Sequence, residues 1–501
     1  MTTKSTSNKT SMSGKSFKER ISAAGKGQKL WFGVWTLLTI LFSVWAGNLW
    51  LMLFIVLFFD IYITKYIPWS FWRKSENKAF KKTMEWVDAI LFALVAVYFI
   101  NTFFFQNYQI PSSSLEKSLL VGDFLAVSKM SYGPRAPMTP LSFPLAQHTM
   151  PVIGGKSYFD KPQWKYKRLK GFGQVKRNDI VVFNFPAGDT VALNMQAVDY
   201  YTLSKYNSNG SLGIKSDRRT YGDVVYRPVD RRENYVKRCI GLPGETIELR
   251  DDEVYIDGNR IESPKLSQLT YMIHTDGTVI SENIFQELGV SKDDYLSVNN
   301  YGQTSQRMQD LTGIDSLTLA NSGLKSRNGV NGRVYFSIPL TQDMVSKLKE
   351  KPFVWDIIKD KEEPGSSYYY PIDANTNWTR DEFGPLWIPK KGETINFDDN
   401  IDFKVAAYER CIKNYEGNSF EYLNGQVFIN GKQVDSYTFE MDYYFMMGDN
   451  RHNSADSRAW GFVPEDHVVG KPMLIWLSLE KDKGRFEGRI RWKRLFTSAK
   501  K

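Results

Sequence analysis

Two short basic segments flank the apolar runs near the N-terminus, and this arrangement constrains the chain more than any other feature. Residues 1–29 carry a net charge of +6 and residues 65–82 carry +5, whereas the apolar stretch 30–64 has only Asp60 as a charged residue. These segments account for the whole net charge of +10. Basic residues concentrated beside apolar runs are typical of the cytoplasmic side of membrane proteins. The charge therefore predicts a lipid bilayer, and no nucleic acid, as a partner.

The apolar stretch 30–64 is too long for a single span. As one helix it would reach about 52 Å, against a hydrocarbon core of about 30 Å. Gly47-Asn48 at its centre is a turn dipeptide. We therefore expect a hairpin of two short spans, about 30–46 and 48–64, with a re-entrant pair as the alternative. A third run, from Trp86 to Phe105, is long enough to span once.

These segments predict a topology. If the tail and the basic loop both stay in the cytoplasm, the third span carries everything after residue 106 to the outer side of the cytoplasmic membrane. The expected N-terminal parts of this multi-pass protein are a basic disordered cytoplasmic tail (1–29), a transmembrane hairpin (30–64), a basic cytoplasmic loop (65–82) and a third transmembrane helix (83–106).

The region beyond residue 106 is expected to be mainly β, because short runs rich in β-branched and aromatic residues recur there. The predicted strands are Phe124–Val127, Ile180–Phe185, Tyr235–Ile240, Val254–Ile256, Val427–Ile429, Tyr443–Met447 and Leu474–Leu477. Asp257-Gly258 and Asn430-Gly431 predict two hairpin turns. We expect a β core in two parts, 107–263 and 389–501, with polar accessory insertions at about 134–175, 187–233 and 264–388.

The cysteine and histidine content argues against a metal centre. Cys239 and Cys411 are the only cysteines, too few for a disulfide framework or a four-cysteine zinc site, and the four histidines are far apart in sequence. We therefore expect no metal and no other cofactor. The sequence leaves open whether the two cysteines pair, and a reduced packing residue is the simpler expectation for Cys239.

A run of three serines, Ser112 to Ser114, opens the outer region and is followed by Lys117. A serine run by itself is typical of a solvated linker. The spacing Ser114-x-x-Lys117 is also that of the serine–lysine motif of penicillin-binding enzymes. The companion motifs of those enzymes, S-D-N and K-T-G, do not occur in the sequence.

Four segments, in this order, resemble the conserved boxes of bacterial type I signal peptidases. They are residues 109–124 continued by Lys129 and Tyr132-Gly133, residues 177–183, residues 235–245, and residues 447–458 continued by 460–464. The resemblance implies an antiparallel β catalytic domain of the signal-peptidase type with large inserted regions, behind N-terminal transmembrane helices. It also implies a membrane-bound endopeptidase that removes signal peptides with small residues at −3 and −1 from exported preproteins.

The same resemblance implies a serine–lysine dyad. Ser114 would be the nucleophile and Lys237 the general base. The Ser114 N–H and the Ser112 hydroxyl would form the oxyanion hole, and Ser454 would orient the base. The loop would be supported by Gly448, Asp449, Asp456 and Arg458. A lysine base must be neutral, so its pKa has to fall from about 10.4 to about 7–8, and burial in an apolar strand has this effect.

Two other hypotheses stay open at this point. A cell-wall acyl-enzyme would use Ser114 and Lys117, and it would be indifferent to the loss of Lys237. A non-catalytic assembly factor derived from a peptidase would keep its function without either Ser114 or Lys237.

Overall fold

A computed structural model of the chain describes residues 16–499 except 153, 197, 291–296, 299–303, 306–309, 313–318, 321–322, 366–368, 375, 481–482 and 485–487. Most of the tail predicted for 1–29 therefore lies outside the described residues. The chain divides into two compact units, Met1–Ile100 and Asn101–Lys501.

The first unit is helical. Its helices are α1 (Phe17–Ala23), α2 (Lys26–Ala46), α3 (Leu53–Phe59) and α4 (Lys78–Phe103), the last of which runs on past its boundary. By length and composition, α2 and α4 could each cross a membrane. Both overlap segments where the sequence predicts spans, and α4 begins earlier, at Lys78, inside the predicted loop 65–82.

The turn predicted at Gly47 ends α2. Gly47 has a φ of 56°, a left-handed conformation that favours glycine at the end of a helix. The apolar segment Leu49–Thr64 then returns along α2, and Trp35 stacks on Phe58 with ring centroids 5.2 Å apart. This second arm is shorter than the roughly 17–25 residues that a helix needs to cross a bilayer.

The second unit is mainly β. In chain order its strands are β1 (Phe105–Gln109), β2 (Asp123–Ser128), β3 (Ile180–Asn184), β4 (Thr190–Ala192), β5 (Val224–Tyr226), β6 (Asn234–Gly241), β7 (Thr246–Arg250), β8 (Glu253–Ile256), β9 (Asn259–Arg260), β10 (Gln268–Thr275), β11 (Ser297–Val298), β12 (Thr304–Ser305), β13 (Asp310–Thr312), β14 (Arg333–Thr341), β15 (Val354–Lys359), β16 (Phe383–Trp387), β17 (Thr394–Asn396), β18 (Phe420–Leu423), β19 (Gln426–Ile429), β20 (Lys432–Val434), β21 (Ser436–Thr438), β22 (Tyr443–Met447), β23 (Val463–Pro464), β24 (Val468–Ser478) and β25 (Thr497–Ser498). Its helices are α5 (Tyr200–Tyr206), α6 (Gly210–Ser216), α7 (Arg218–Tyr221), α8 (Glu282–Leu288), α9 (Gln342–Lys349), α10 (Ile401–Arg410) and α11 (Ser457–Trp460).

The main sheet brings together strands that are distant in sequence. Its order is β1-β2-β24-β3-β6-β22-β23, with β25 beside β24, and its neighbours are antiparallel. All seven predicted strands are present, and both predicted hairpins form, as β8–β9 and β19–β20. The prediction of a mainly antiparallel β fold is confirmed.

Two further sheets flank the main one. One, β16-β7-β8-β9, packs with α10 and the small β17–β21 and β18–β20 sheets around a common apolar core. The other, β13-β14-β10-β15, belongs to the inserted region and encloses its own core with α8 and α9. The last strand of segment 264–388, β16, pairs with β7, so the end of this segment is part of the neighbouring sheet.

The two cysteines are both buried and both free. Cys239 lies in the core of the main sheet, and Cys411 lies in the core around α10. Burial raises the pKa of both thiols. Both cysteines are therefore reduced side chains packed in a core, as expected for Cys239.

Candidate active site

Ser114 lies in a short 3₁₀ turn, Ser113–Leu115, on the connection between β1 and β2. Leu115 and Leu119 follow it and are buried in the core under this end of the sheet. The apolar side chains after the serine thus hold the turn against the sheet, and Ser114 itself is only 8% exposed.

Lys237 reaches the same place from the centre of the main sheet. It lies on β6, opposite Val181 of β3, and is 4% exposed. Its Nζ is 2.5 Å from the Ser114 Oγ. Burial lowers the pKa of Lys237 from 10.5 to about 8, while Asp456 acts in the opposite direction. The structure therefore brings the two residues of the predicted dyad into contact, with the pKa of the amine lowered towards the range that the chemistry needs.

The next residue on the strand, Arg238, faces the other way, as alternation along a strand requires. Its Nε and Nη2 donate to the two carboxylate oxygens of Asp449 at 2.7 and 2.6 Å. The hydroxyl of Ser118, four residues after the serine, donates to the same carboxylate at 2.5 Å. Asp449 thus connects β6 to the segment that follows Ser114.

The loop after β22 is fixed by a second buried ion pair. Asp456 accepts from the Arg458 guanidinium at 3.0 and 2.8 Å and from the Gly448 N–H at 3.1 Å. Although burial opposes it, the charge of Arg458 holds the pKa of Asp456 below its usual range. These contacts join Gly448, Asp456 and Arg458 to one another, and the supporting role that the resemblance implies for them and for Asp449 stays a prediction.

Gly448 also marks a close approach of two backbones. A side-chain carbon there would lie 2.3 Å from the Ser454 Oγ and 2.6 Å from the Ser114 carbonyl oxygen. Within the described chain, the buried Ser454 hydroxyl forms no hydrogen bond. The predicted bond from Ser454 to Lys237 is therefore not among the contacts of this structure.

The predicted oxyanion donors are at the start of the turn. Ser112 is exposed, and its hydroxyl does not cap the 3₁₀ turn that follows. Over the described residues, the Ser114 N–H makes no backbone hydrogen bond. Their role as oxyanion donors stays a prediction.

The residues of the alternative dyad do not converge. The Nζ of Lys117 donates to the carbonyl of Gly289, at the end of α8, at 2.5 Å. It is Lys237, and not Lys117, whose amine contacts Ser114.

Some contacts at the site have no counterpart in the sequence-based roles. The Asn450 N–H donates to the Ser114 carbonyl at 3.0 Å, and Asn453 Nδ2 donates to the Ser113 hydroxyl at 2.9 Å. Both asparagines, like Arg238, lie inside the recognised boxes, so their position in the sequence was a usable signal.

The described residues include one group that could hold a metal ion, formed by Asp252, Asp381 and His452. Its nitrogen and oxygen atoms lie within 4.8 Å of one another. His452 belongs to the last box, but the two aspartates lie in no recognised motif, so sequence reasoning did not find this group.

Comparison with known proteins yields consistent matches. The family model described as "Signal peptidase, peptidase S26" matches residues 83–307 and 434–477, more than half of the chain. Signal peptidase I of Buchnera aphidicola subsp. Acyrthosiphon pisum is 23% identical over 425 residues, which are 84% of this chain and 83% of that protein. Signal peptidase I of Haemophilus influenzae is 23% identical over 428 residues, 85% of this chain and 79% of that protein. A segment of 36 residues, 7% of this chain and 14% of the relative, is 61% identical to signal peptidase I of Aquifex aeolicus.

Proposed function

Because the chain belongs to the signal peptidase family, peptidase S26, we propose that it cleaves signal peptides from exported preproteins with Ser114 as nucleophile and Lys237 as general base. It is a serine endopeptidase of the bacterial type I signal peptidase group. The observation that carries the proposed mechanism is the 2.5 Å contact between Lys237 Nζ and Ser114 Oγ.

The proposed reaction proceeds through an acyl-enzyme. Neutral Lys237 accepts the hydroxyl proton as the Ser114 Oγ bonds to the scissile carbonyl carbon. The carbonyl oxygen becomes an oxyanion, which the Ser114 N–H and the Ser112 hydroxyl stabilise. The C–N bond then breaks, and the lysine ammonium returns its proton to the departing amine. Water, activated by the same lysine, hydrolyses the ester and regenerates Ser114.

The electrostatics of the site favour this mechanism. With a pKa of about 8, about a tenth of Lys237 is neutral at pH 7, compared with about one part in several thousand for an ordinary lysine. Gly448, Asp449, Asp456 and Arg458 support the loop without touching the reacting atoms. The base-orienting role of Ser454 stays a prediction.

We place the reaction at the outer face of the cytoplasmic membrane. Two helices of the N-terminal region, α2 and α4, have the length and composition of membrane spans. Ser114 follows the end of α4 closely in sequence, and the basic segments 1–29 and 65–82 favour the cytoplasm. We propose substrates with small residues at −3 and −1, because that is the site type the family resemblance implies.

The test is cleavage of a purified preprotein with an Ala-x-Ala site by the full-length enzyme in detergent. We expect cleavage by the wild type, and its loss in Ser114→Ala and Lys237→Ala while both stay folded. Lys129→Ala is a matched control, because burial lowers the pKa of this lysine as well, to about 7, among the neighbours Arg135 and Arg231. Activity that survives Lys237→Ala would refute the dyad.

The topology has its own test. In sealed inverted membrane vesicles, added protease should digest the basic segments and leave the catalytic unit intact. Digestion of the catalytic unit in those vesicles would place it on the cytoplasmic side and contradict the proposed location.

A further inference from the structure

The loop from Asp449 to Asn453 contacts the inserted sheet as well as the nucleophile turn. Gln268, the first residue of β10, donates its N–H to the Asp449 carbonyl at 2.8 Å and accepts from the Arg451 N–H at 2.9 Å. The same loop bonds Ser114 through the Asn450 N–H. The backbone that bonds the nucleophile turn is therefore also bonded to the inserted region.

His452 makes the side-chain contacts of this connection. Its Nδ1 accepts from the Thr270 N–H at 3.1 Å and lies 2.5 Å from the Thr270 Oγ1. Its Nε2 lies 2.9 Å from an oxygen of Asp252 and 2.9 Å from an oxygen of Asp381. The imidazole is completely buried, and the two carboxylates are 4% and 3% exposed. One ring therefore joins the active-site loop to β10, to the turn between β7 and β8, and to the segment before β16.

The backbone hydrogen bond from Thr270 indicates which tautomer the neutral ring adopts. A backbone N–H can only donate, so Nδ1 of His452 is an acceptor and the neutral imidazole carries its proton on Nε2, towards the two aspartates. A metal ion on Nε2 would require a proton on Nδ1, where Thr270 already donates. The arrangement therefore fits a hydrogen-bonded anchor better than a metal centre.

The same contacts do not form a second catalytic triad. Thr270, His452 and Asp252 form a hydroxyl–imidazole–carboxylate chain, but Thr270 is 6% exposed and the imidazole is inaccessible. A peptide substrate cannot reach the hydroxyl. The cost of burying two carboxylates is offset here by the imidazole N–H and by Lys359, whose Nζ is 3.0 Å from Asp252.

We propose that His452 is a positioning residue for the cleavage reaction, which fixes the loop that holds Ser114 against the inserted sheet. This inference rests on the proposed function. When the imidazole is in place, Asn450 is held where its N–H meets the Ser114 carbonyl, and this sets the position of the Ser114 N–H in the oxyanion hole. A displacement of about 1 Å in such a group can cost about a hundredfold in rate.

A second contact connects the same two regions. Lys117, three residues after the nucleophile, donates to the Gly289 carbonyl at the end of α8. The inserted region thus holds the nucleophile segment directly through Lys117 and indirectly through His452.

The test separates the contact of Nδ1 with Thr270 from the contacts of Nε2 with the two aspartates. In His452→Asn the amide oxygen can take the place of Nδ1 and accept from Thr270, whereas in His452→Gln the amide nitrogen can take the place of Nε2 and donate to the aspartates. His452→Ala removes both. The matched control is His274→Ala, which deletes an equally buried histidine on β10, the strand that carries Thr270, where it is bonded to the Asn331 carbonyl at 2.7 Å. Each full-length variant is assayed for kcat, KM and Tm with the Ala-x-Ala preprotein.

We expect His452→Ala to lower kcat about 10- to 100-fold with KM within about twofold. His452→Asn should recover most of kcat, and His452→Gln should not, because of the contacts of the imidazole only the one to Thr270 joins the loop to β10. His274→Ala should lower Tm to a similar degree and leave kcat unchanged. If His452→Ala does not fold, the positioning role is tested by the kcat of His452→Asn relative to that of His452→Gln.

Equal kcat in the Asn and Gln variants, or an equal loss of kcat in His274→Ala, would overturn the positioning role. If the wild type cleaves in a Ser114-dependent way and His452→Ala keeps its kcat, only this inference fails. If the wild type does not cleave at all, the proposed function fails, and this inference fails with it.

Discussion

Strand β6 presents two adjacent cations to two different regions of the protein. On one face Lys237 is 4% exposed and contacts a hydroxyl, and among the described residues no carboxylate forms an ion pair with it. On the other face Arg238 is 5% exposed and holds both oxygens of Asp449. Burial is the same on both faces, and the difference lies in the partner. A buried amine without a counter-ion loses its proton readily, while a buried guanidinium with a bidentate partner acts as a structural cross-link.

The largest expected effect is at the face without a counter-ion. Lys237→Met should lower kcat about 10³- to 10⁴-fold, because the general base is removed while the volume is kept. The pKa of Lys237, about 8, lies below its unfolded value of 10.5. At pH 7, protonation of this amine therefore costs free energy in the folded state. Replacement by Met removes that cost, so Lys237→Met should raise Tm. Single-turnover cleavage and thermal unfolding at pH 7 measure the two effects, and a variant that lost activity and stability together would break the comparison.

On the opposite face of β6, where Arg238 has a counter-ion, substitution by methionine should lower the stability of the protein. Arg238→Met leaves the buried Asp449 carboxylate without its counter-ion, so the free energy of unfolding should fall by about 3–5 kcal/mol. Denaturant unfolding in detergent measures it. Arg238→Met combined with Asp449→Asn should recover part of the loss, since no uncompensated charge is then buried. If the two changes were simply additive, the pairing would not explain the stability.

The pH dependence of cleavage should follow the lysine. Only the neutral amine can accept the Ser114 proton, so kcat should fall about tenfold per pH unit below the pKa of about 8. Between pH 8 and pH 6 the expected loss is about fiftyfold, and above about pH 9 the rate should level off. A profile that stays flat down to pH 6 would mean that Lys237 is not the base.

The smallest expected effect is at Ser454. Its hydroxyl makes no hydrogen bond in the described chain and packs beside Gly448, so Ser454→Ala should lower kcat less than about tenfold. Ser454→Val is a useful contrast, because its extra methyl groups would push against Gly448. A hundredfold loss in Ser454→Ala would instead show that the hydroxyl orients Lys237 during turnover, as the family resemblance implies.

Much of the catalytic sheet could be predicted because its signals are local. Alternating apolar residues identify strands such as Tyr443–Met447, and Asp257-Gly258 identifies a hairpin turn. The boxes contain Ser114 and Lys237, and the structure places both at one point. The helical structure of Leu49–Thr64 could not be predicted in this way. Its composition is that of a membrane span, while its helix is short and irregular.

Contacts between distant segments could not be predicted in the same way. His452 gathers Thr270, Asp252 and Asp381 from three separate segments, and none of these three residues lies in a motif. From the sequence, segment 264–388 is predicted to be an accessory insertion, and His452 is assigned no role. What joins them is the packing of the inserted sheet, which depends on the whole chain.

The sequence alone determined the class of the protein: the basic and apolar segments and the mainly β region beyond residue 106 follow from local composition, and the two residues of the predicted dyad follow from the resemblance of ordered motifs. Only the tertiary structure decided the state of those residues. Whether a lysine is neutral depends on what surrounds it, and the surroundings of Lys237 come from strands and loops that lie hundreds of residues apart in the chain. For the same physical reason, only the fold shows that an inserted sheet bonds the active-site loop, because hydrogen bonds and burial act through space and leave no pattern at fixed sequence spacing.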